Sequence, residues 1–242
     1  MSELKPGRLY VVPTPVGNLQ DITLRGLETL RQVDEILAED TRQTKKLLDH
    51  FGIRKPMYPY HKFNERASVQ GVVHKLQAGV KIGLVSDGGT PGISDPGAVL
   101  IQQCLEAGII VETLPGATAF VPALVNAGFD TGQFVFIGFL PHKKGRQTKL
   151  RQLAADPRTQ IVYESPYRMV KLLEELRQVL RPGRRVSFSR EISKFFEESR
   201  RGTPEELLAY FSSKEPKGEF VVIIEDEPIS RKEADESLTL TE

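Results

Sequence analysis

Residues 81–97 read KIGLVSDGGTPGISDPG. The first six are an almost unbroken apolar run, short enough for a strand and too short for a helix. A run of this kind bounded by turn signals fits a strand covered on both faces, as parallel sheets require. Gly88, Gly89, Gly92 and Gly97 then fall within twelve residues, with Pro91 and Pro96 between them, and end the strand. A helical pattern follows over 97–107. Strand, glycine-rich turn and helix make half of a βαβ unit.

The same rhythm extends in both directions. Upstream, 8–13 (RLYVVP) and 35–39 (EILAE) read as strands. Asp21 is placed to cap a helix carrying Leu24, Leu27 and Leu30, and Thr41 starts a second helix that stops at Gly52. A third helix spans 65–77. Downstream, 109–114 is a strand, and the Gly/Pro/Ala-rich stretch 115–128 holds one short helix and the domain junction. The second half offers strands at 134–140, 159–164, 185–189 and 219–225, with a helix over 166–180. Thr203-Pro204-Glu205-Glu206 carries the signature of a capped helix start. The expected division is an N-terminal α/β domain over 1–115, a C-terminal α/β domain over 116–228, and a polar, patternless tail over 229–242 expected to be disordered.

Composition narrows the class. The chain has 242 residues, 39% hydrophobic and 27% charged, enough for a core without staples. The single cysteine, Cys104, forbids an intrachain disulfide and reads as a buried, inert thiol. The start, MSELKPGRLYVVPTPVG, has no long apolar stretch, so it resembles neither a signal peptide nor an anchor, and no membrane association is expected. The cytoplasm is the expected location. With 33 Lys and Arg against 32 Asp and Glu, net charge neither favours nor opposes RNA. An RNA-binding surface would need its basic residues segregated on one face.

Three Gly/Pro-rich turns each follow a strand: PTPVGNLQD (13–21), SDGGTPGISDPG (86–97) and LPGATA (114–119). Ligands of open α/β sheets bind beyond the carboxyl ends of strands, where these turns sit. One such turn is explained by connectivity; three in equivalent positions point to a ligand site. There is no GxxxxGK[ST] loop, no GxGxxG, no Cys/His cluster of zinc spacing and no GxSxG elbow. No metal is expected. A nucleotide-like ligand without a phosphate cradle remains, and S-adenosylmethionine (SAM) fits that description without being named by it.

LYVVPTPVGNLQDIT, AEDTRQTKKLL, HKFNE, LVSDGGTPGISDPG, LPGATA, GFLP, YESPYR and KGEFVVIIE, in this order, resemble the tetrapyrrole-methylase superfamily, and within it the bacterial branch that 2′-O-methylates a cytidine ribose in the decoding region of 16S rRNA. The likeness runs from about Leu9 to Glu225. It implies an α/β fold of two α/β/α domains of the tetrapyrrole methylase (class III SAM methyltransferase) type, with SAM in the cleft between them. It puts Ser86, Asp87, Gly88, Gly89 and Thr90 at the cofactor, with Ser94 and Asp95 nearby, then Pro115, Gly116, Thr118 and Ala119, and adds Tyr163, Glu164 and Ser165 from the second domain. It also implies a homodimer, and 16S rRNA or the 30S subunit as partner. The resemblance also implies a further small helical domain in many relatives, which is not expected within the residues up to Glu242.

For proton removal from the ribose hydroxyl the candidates come from AEDTR (Glu39, Asp40) and HKFNE (His61, Glu65), with Asp40, Glu39 and His61 foremost. Asp40 and Glu39 sit at a strand's carboxyl end; the competing role for Asp40 is to cap the following helix with Arg42 as surface partner. His61 offers an imidazole, the side chain most used for proton transfer, although a lone histidine is more often structural. For RNA, the stretch 142–151 (HKKGRQTKLR) holds five cations and no acid, and reads as a contact loop of Lys143, Lys144, Arg146, Lys149 and Arg151. Arg42 and Arg168 join them, and Arg181, Arg184, Arg185, Arg190, Lys194, Arg200 and Arg201 extend the set. Two rivals stand beside this: SAM-dependent transfer to a tetrapyrrole or a protein side chain, and a non-catalytic RNA-binding assembly factor. Burial of Gly88 and Gly89 against ordinary side chains would favour the last.

Overall fold

A computed structural model describes residues 4–227; the tail expected to be disordered lies outside them. The chain divides into two compact units, Met1–Ala119 and Phe120–Glu242.

In the first unit the order is β1 (Arg8–Val11), a 3-10 turn (Leu19–Asp21), α1 (Leu24–Gln32), β2 (Glu35–Ala38), α2 (Thr41–His50), β3 (Met57–Pro59), α3 (Glu65–Gln77), β4 (Ile82–Val85), α4 (Ala98–Glu106) and β5 (Ile110–Thr113). The strands lie in the order β3-β2-β4-β1-β5, and every neighbouring pair is parallel. Register is set by apolar pairs such as Leu9 opposite both Ile82 and Val111. Successive side chains alternate between the two faces. Leu9, Val11, Leu37 and Leu84 pack with Val72, Leu76, Leu100 and Cys104 of α3 and α4. Tyr10, Val12, Ile36 and Val85 pack with Leu27, Leu30, Leu47 and Leu48 of α1 and α2. Burial on both faces explains why β2 and β4 are buried along their whole length. Cys104 is buried and free, its thiol pushed up to about 11 by burial.

The second unit runs α5 (Phe120–Ala127), β6 (Phe134–Phe139), α6 (Arg146–Ala155), β7 (Thr159–Glu164), α7 (Pro166–Val179), β8 (Val186–Arg190), β9 (Glu198–Gly202), α8 (Pro204–Ser212) and β10 (Phe220–Ile224). Its sheet, β6-β7-β10-β8-β9, is mixed: only β6 and β7 are parallel. One face carries a core of Leu150, Leu153, Met169, Leu172, Leu176, Leu207 and Phe211 from α6, α7 and α8 on Val162, Phe188 and Val222 of the sheet. Helix α5 packs against β8, β9 and β10.

The α/β class is as expected, with local differences. Asp21 caps no helix: Thr23 caps α1 by accepting from the Gly26 N–H, and Asn18 caps the 3-10 turn. The basic stretch 142–151 is a loop only to Gly145, and α6 begins at Arg146. Strands β3 and β9 were not foreseen. The capping box at Thr203 is complete, with the Thr203 hydroxyl accepting from the Glu206 N–H and the Glu206 carboxylate from the Thr203 N–H. Thr203→Ala is expected to lower stability by about 1 kcal/mol in urea unfolding; an unchanged midpoint would contradict the capping assignment.

Candidate functional site

Because the first sheet is wholly parallel, all five of its carboxyl ends lie along one edge. The turns 12–18, 39–40, 60–64, 86–97 and 114–119 emerge there. They are stitched to one another. The Thr14 N–H donates to the Gly89 carbonyl at 2.9 Å and the Gly89 N–H to the Thr14 carbonyl at 2.8 Å. The Thr14 hydroxyl donates to the Ser86 carbonyl at 2.9 Å, and the Ser86 hydroxyl to the Gly89 carbonyl at 3.3 Å. The Thr90 hydroxyl bonds the Ala117 carbonyl at 3.0 Å and the Thr118 hydroxyl at 2.7 Å. Two glycines permit this approach. Gly89 has φ +92°, left-handed backbone that a side chain would strain. A Cβ on Gly116 would come within 2.6 Å of the Pro13 Cβ.

The structure thus brings together Ser86, Asp87, Gly88, Gly89, Thr90, Ser94, Asp95, Pro115, Gly116, Thr118 and Ala119, all within one unit and on one edge. Gly89 is buried, but against the backbones of Thr118 and Ala117 and one Val16 methyl. Its burial reports one turn docking on another. Its N–H is engaged by Thr14 and does not face a ligand. Thr14 is the residue that sequence reasoning missed; its only signal was its place in the PTPVG turn.

The carboxyl groups on this edge are unlike one another. Asp40 caps α2, accepting from the Arg42 N–H at 2.8 Å, and its side chain receives Arg42 Nε at 3.0 Å and Nη2 at 2.7 Å. These bonds hold its carboxyl at about 2. An anion so engaged is a weak proton acceptor, and this geometry fits helix capping better than the role of base expected for Asp40. The Asp40 N–H donates to Asp87 Oδ1 at 2.9 Å. Burial raises Asp87, and burial with the Asp87 charge raises Glu39. Asp95 is pushed up to about 7, first by burial and then by Glu39, against the pull of Lys62. Ser94, just before it, has φ +67°, a strained conformation for serine, and its carbonyl accepts from Lys62 Nζ at 3.0 Å.

His61 closes the start of α3: its N–H donates to Asn64 Oδ1, while its Nδ1 is buried with no hydrogen-bond partner. Glu65 is buried and accepts from the Gly97 N–H at 2.9 Å, which ties the HKFNE segment to the SDPG turn.

In the second unit, several expected contacts prove internal. Arg146 is only 3% exposed; its guanidinium binds Glu175 at 2.7 Å and lies 3.6 Å from Glu164. Arg168 binds Glu164 at 2.6 Å. Arg146 and Arg168, both expected at RNA, are held in an ion network joining α6, β7 and α7, with Arg146 buried and Arg168 partly exposed. Glu164, expected at the cofactor, is the buried anion of that network. Ser165 precedes α7, its hydroxyl 3.4 Å from Arg168 Nε. Tyr163 packs against Phe136 and Phe139 at 5.2 and 5.6 Å between ring centroids. Arg184 is buried and donates to the carbonyls of Ala154, Asp156 and Glu225. Lys143, Lys144 and Arg151 are exposed, and Lys149 is half-buried.

A doubly wound parallel sheet with glycine-rich turns stitched along its carboxyl edge, followed by a mixed-sheet α/β unit, defines a class of transferases. The chain belongs to the tetrapyrrole (corrin/porphyrin) methylase family, whose model matches residues 8–208, and it is a methyltransferase. The reading as a non-catalytic assembly factor is set aside. The chain is 49% identical over 219 residues to the ribosomal RNA small subunit methyltransferase I of Synechocystis sp., covering 90% of this chain and 78% of that one. It is 40% identical over 218 residues to the protein of the same name from Thermotoga maritima, covering 90% and 98%. Among solved structures, the Thermus thermophilus uroporphyrin-III C-methyltransferase complexed with S-adenyl homocysteine superposes with a TM-score of 0.65 at 19% identity, covering 93% of this chain and 99% of that one. A cobalt precorrin-4 methyltransferase gives 0.64 at 20%, covering 90% and 94%.

Asp95 gives a pH test. Its folded value of about 7 lies above the unfolded value of about 4, so over that interval the folded chain holds a proton the unfolded chain has lost. Stability contributed by this group therefore falls as pH rises from about 4 to 7. Asp95→Asn is expected to match the parent near pH 4 and to exceed it above pH 7 in urea midpoint. A gap equal at both pH values would contradict the assignment.

Proposed function

We propose that this protein transfers the methyl group of SAM to the 2′-hydroxyl of a cytidine ribose in 16S rRNA of the small ribosomal subunit. The observation that carries the reading is identity of 40–49% over about nine-tenths of the chain to proteins named ribosomal RNA small subunit methyltransferase I. A tetrapyrrole acceptor is supported by the family's description and by structural likeness near 20% identity, which bears on the fold alone; the relatives at 40–49% identity favour RNA.

The residues of the carboxyl edge fit the donor. Its sulfonium and ammonium are cationic, and the edge presents Glu39, Asp87 and Asp95, whose ionised forms are disfavoured by burial and mutual repulsion. A bound cation offsets the repulsion and compensates for the lost hydration by direct attraction. Ser86, Asp87, Gly88 and Thr90, with Pro115, Gly116, Thr118 and Ala119, would hold it; Gly89 acts one step back, through Thr14. The donor supplies an electrophilic methyl carbon whose transfer discharges the sulfonium.

The chain's own part is placement and proton removal. Positioning two reactants contributes about 7–11 kcal/mol, and a base adds about 10²–10⁴-fold. Glu39 and Asp95, with raised carboxyls, are better acceptors than Asp40 for the hydroxyl proton. His61, whose Nδ1 no carboxylate orients, is the weaker choice. Lys143, Lys144 and Arg151 on the second unit, with Lys149 beside them, and Arg42 on the first, meet phosphates. The partner is the 30S subunit or its RNA, and the protein acts as a homodimer in the cytoplasm. Among the described residues no helix is long and apolar enough to cross a membrane.

Incubation of the purified protein and SAM with 30S particles lacking the modification, followed by mass mapping of 16S rRNA, should yield one new 2′-O-methylcytidine. Methyl groups on a base, or none, would refute the reading. Reversal of Lys143, Lys144 and Arg151 to Glu should weaken RNA binding and spare donor binding; unchanged RNA affinity would remove that surface from the account.

A further inference from the structure

The turn 60–64 is locked, yet gives one large apolar side chain wholly to solvent. The Tyr60 N–H donates to the Ala38 carbonyl at 2.7 Å. Asn64 accepts from the His61 N–H at 2.8 Å and donates to the Pro59 carbonyl at 2.9 Å. Lys62 is tied to the Ser94 carbonyl at 3.0 Å. In the middle of this frame Phe63 is 99% exposed, its ring 6.0 Å from that of His61.

A single exposed apolar residue is ordinary on a protein surface. Two features set Phe63 apart. The turn is held by side-chain and backbone bonds on both sides of it, so the ring is displayed from a fixed base. It also lies on the carboxyl edge of the parallel sheet, where Lys62 reaches the residue next to Asp95 and His61 stands close enough to bias Glu39. On the neighbouring strand's end, the Arg42 side chain is 86% exposed. An exposed aromatic ring on the same edge as two cations, Lys62 held by the Ser94 carbonyl and Arg42 paired with Asp40, offers the chemistry that receives an unstacked nucleobase and its phosphates. Sequence-tolerant recognition of single-stranded RNA uses this pairing of stacking and charge.

We propose that Phe63 is the stacking platform for a nucleobase of the single-stranded RNA segment that carries the methylated ribose, with Lys62 and Arg42 facing its phosphates. This rests on the reading of the protein as an rRNA ribose methyltransferase. Phe63 acts on the acceptor and leaves the donor untouched.

The chain contains no tryptophan, so Phe63→Trp introduces a single indole at this position. Its emission is expected to be quenched by an rRNA fragment spanning the methylated cytidine and unchanged by S-adenosylhomocysteine alone. In methyl-transfer assays on 30S particles, Phe63→Ala and Phe63→Leu should each lower kcat/KM about ten- to a hundredfold, while Phe63→Trp and Phe63→Tyr stay near the parent. Melting temperature and S-adenosylhomocysteine affinity should not move in any of them, because the ring is unburied. An unquenched indole in an active enzyme overturns the proposal, as does full activity of Phe63→Leu, which would mark an apolar protein contact instead of a stacked base. If the parent chain methylates no rRNA but the indole is quenched, the methyltransfer reading fails and the base platform stands. If neither is seen, both fall.

Discussion

The central part of the carboxyl edge of the first unit depends on the paired backbone hydrogen bonds between Thr14 and Gly89. They fasten the turn after β1 to the turn after β4. The Thr14 hydroxyl adds a third bond to Ser86, and Pro13 fills the space that a side chain on Gly116 would occupy. Residues 13 and 14 thus meet the turns that follow both neighbours of β1 in the sheet. Left-handed backbone at residue 89 and the missing Cβ at residue 116 are the conditions for this meeting, and they account for glycine at both positions in terms of packing between turns.

That frame fixes an electrostatic pattern. Of the acidic groups at the edge, Asp40 is neutralised by Arg42 and the start of α2, whereas Glu39, Asp87 and Asp95 are held where ionisation is disfavoured. Environments that drive like groups apart in affinity for protons are how one site separates roles. Asp40 organises a helix start, and its N–H orients Asp87. In the proposed function the raised carboxyls serve a cationic ligand and accept a proton.

The parts legible in the sequence were those with a local cause. Strands β1, β2 and β4 announced themselves as apolar runs because helices cover both faces of their sheet. The capping box at Thr203 was readable because all its bonds lie within four residues. Strand β3 has three residues, one of them proline, and β9 reads ESRRG; neither carries an apolar pattern, and each is held by pairing with a neighbour, β2 and β8 respectively. Arg146 looked like one of five cations in a basic stretch because the anions that bury it, Glu164 and Glu175, come from β7 and α7. Asp40 shows the same limit at short range, since a strand-end carboxylate and a helix cap share one position and the sequence does not show the Arg42 bonds that engage it. The glycine-rich turns located the edge, but not that Gly89 serves Thr14.

The central claim is that this stitched edge binds the methyl donor, and calorimetric titration of the folded chain with S-adenosylhomocysteine tests it most directly. The account expects saturable heat with one site per chain, lost when Gly116→Ala drives Pro13 from its place in a variant that remains folded. Absence of heat from the parent chain, or undiminished binding in that variant, would contradict it.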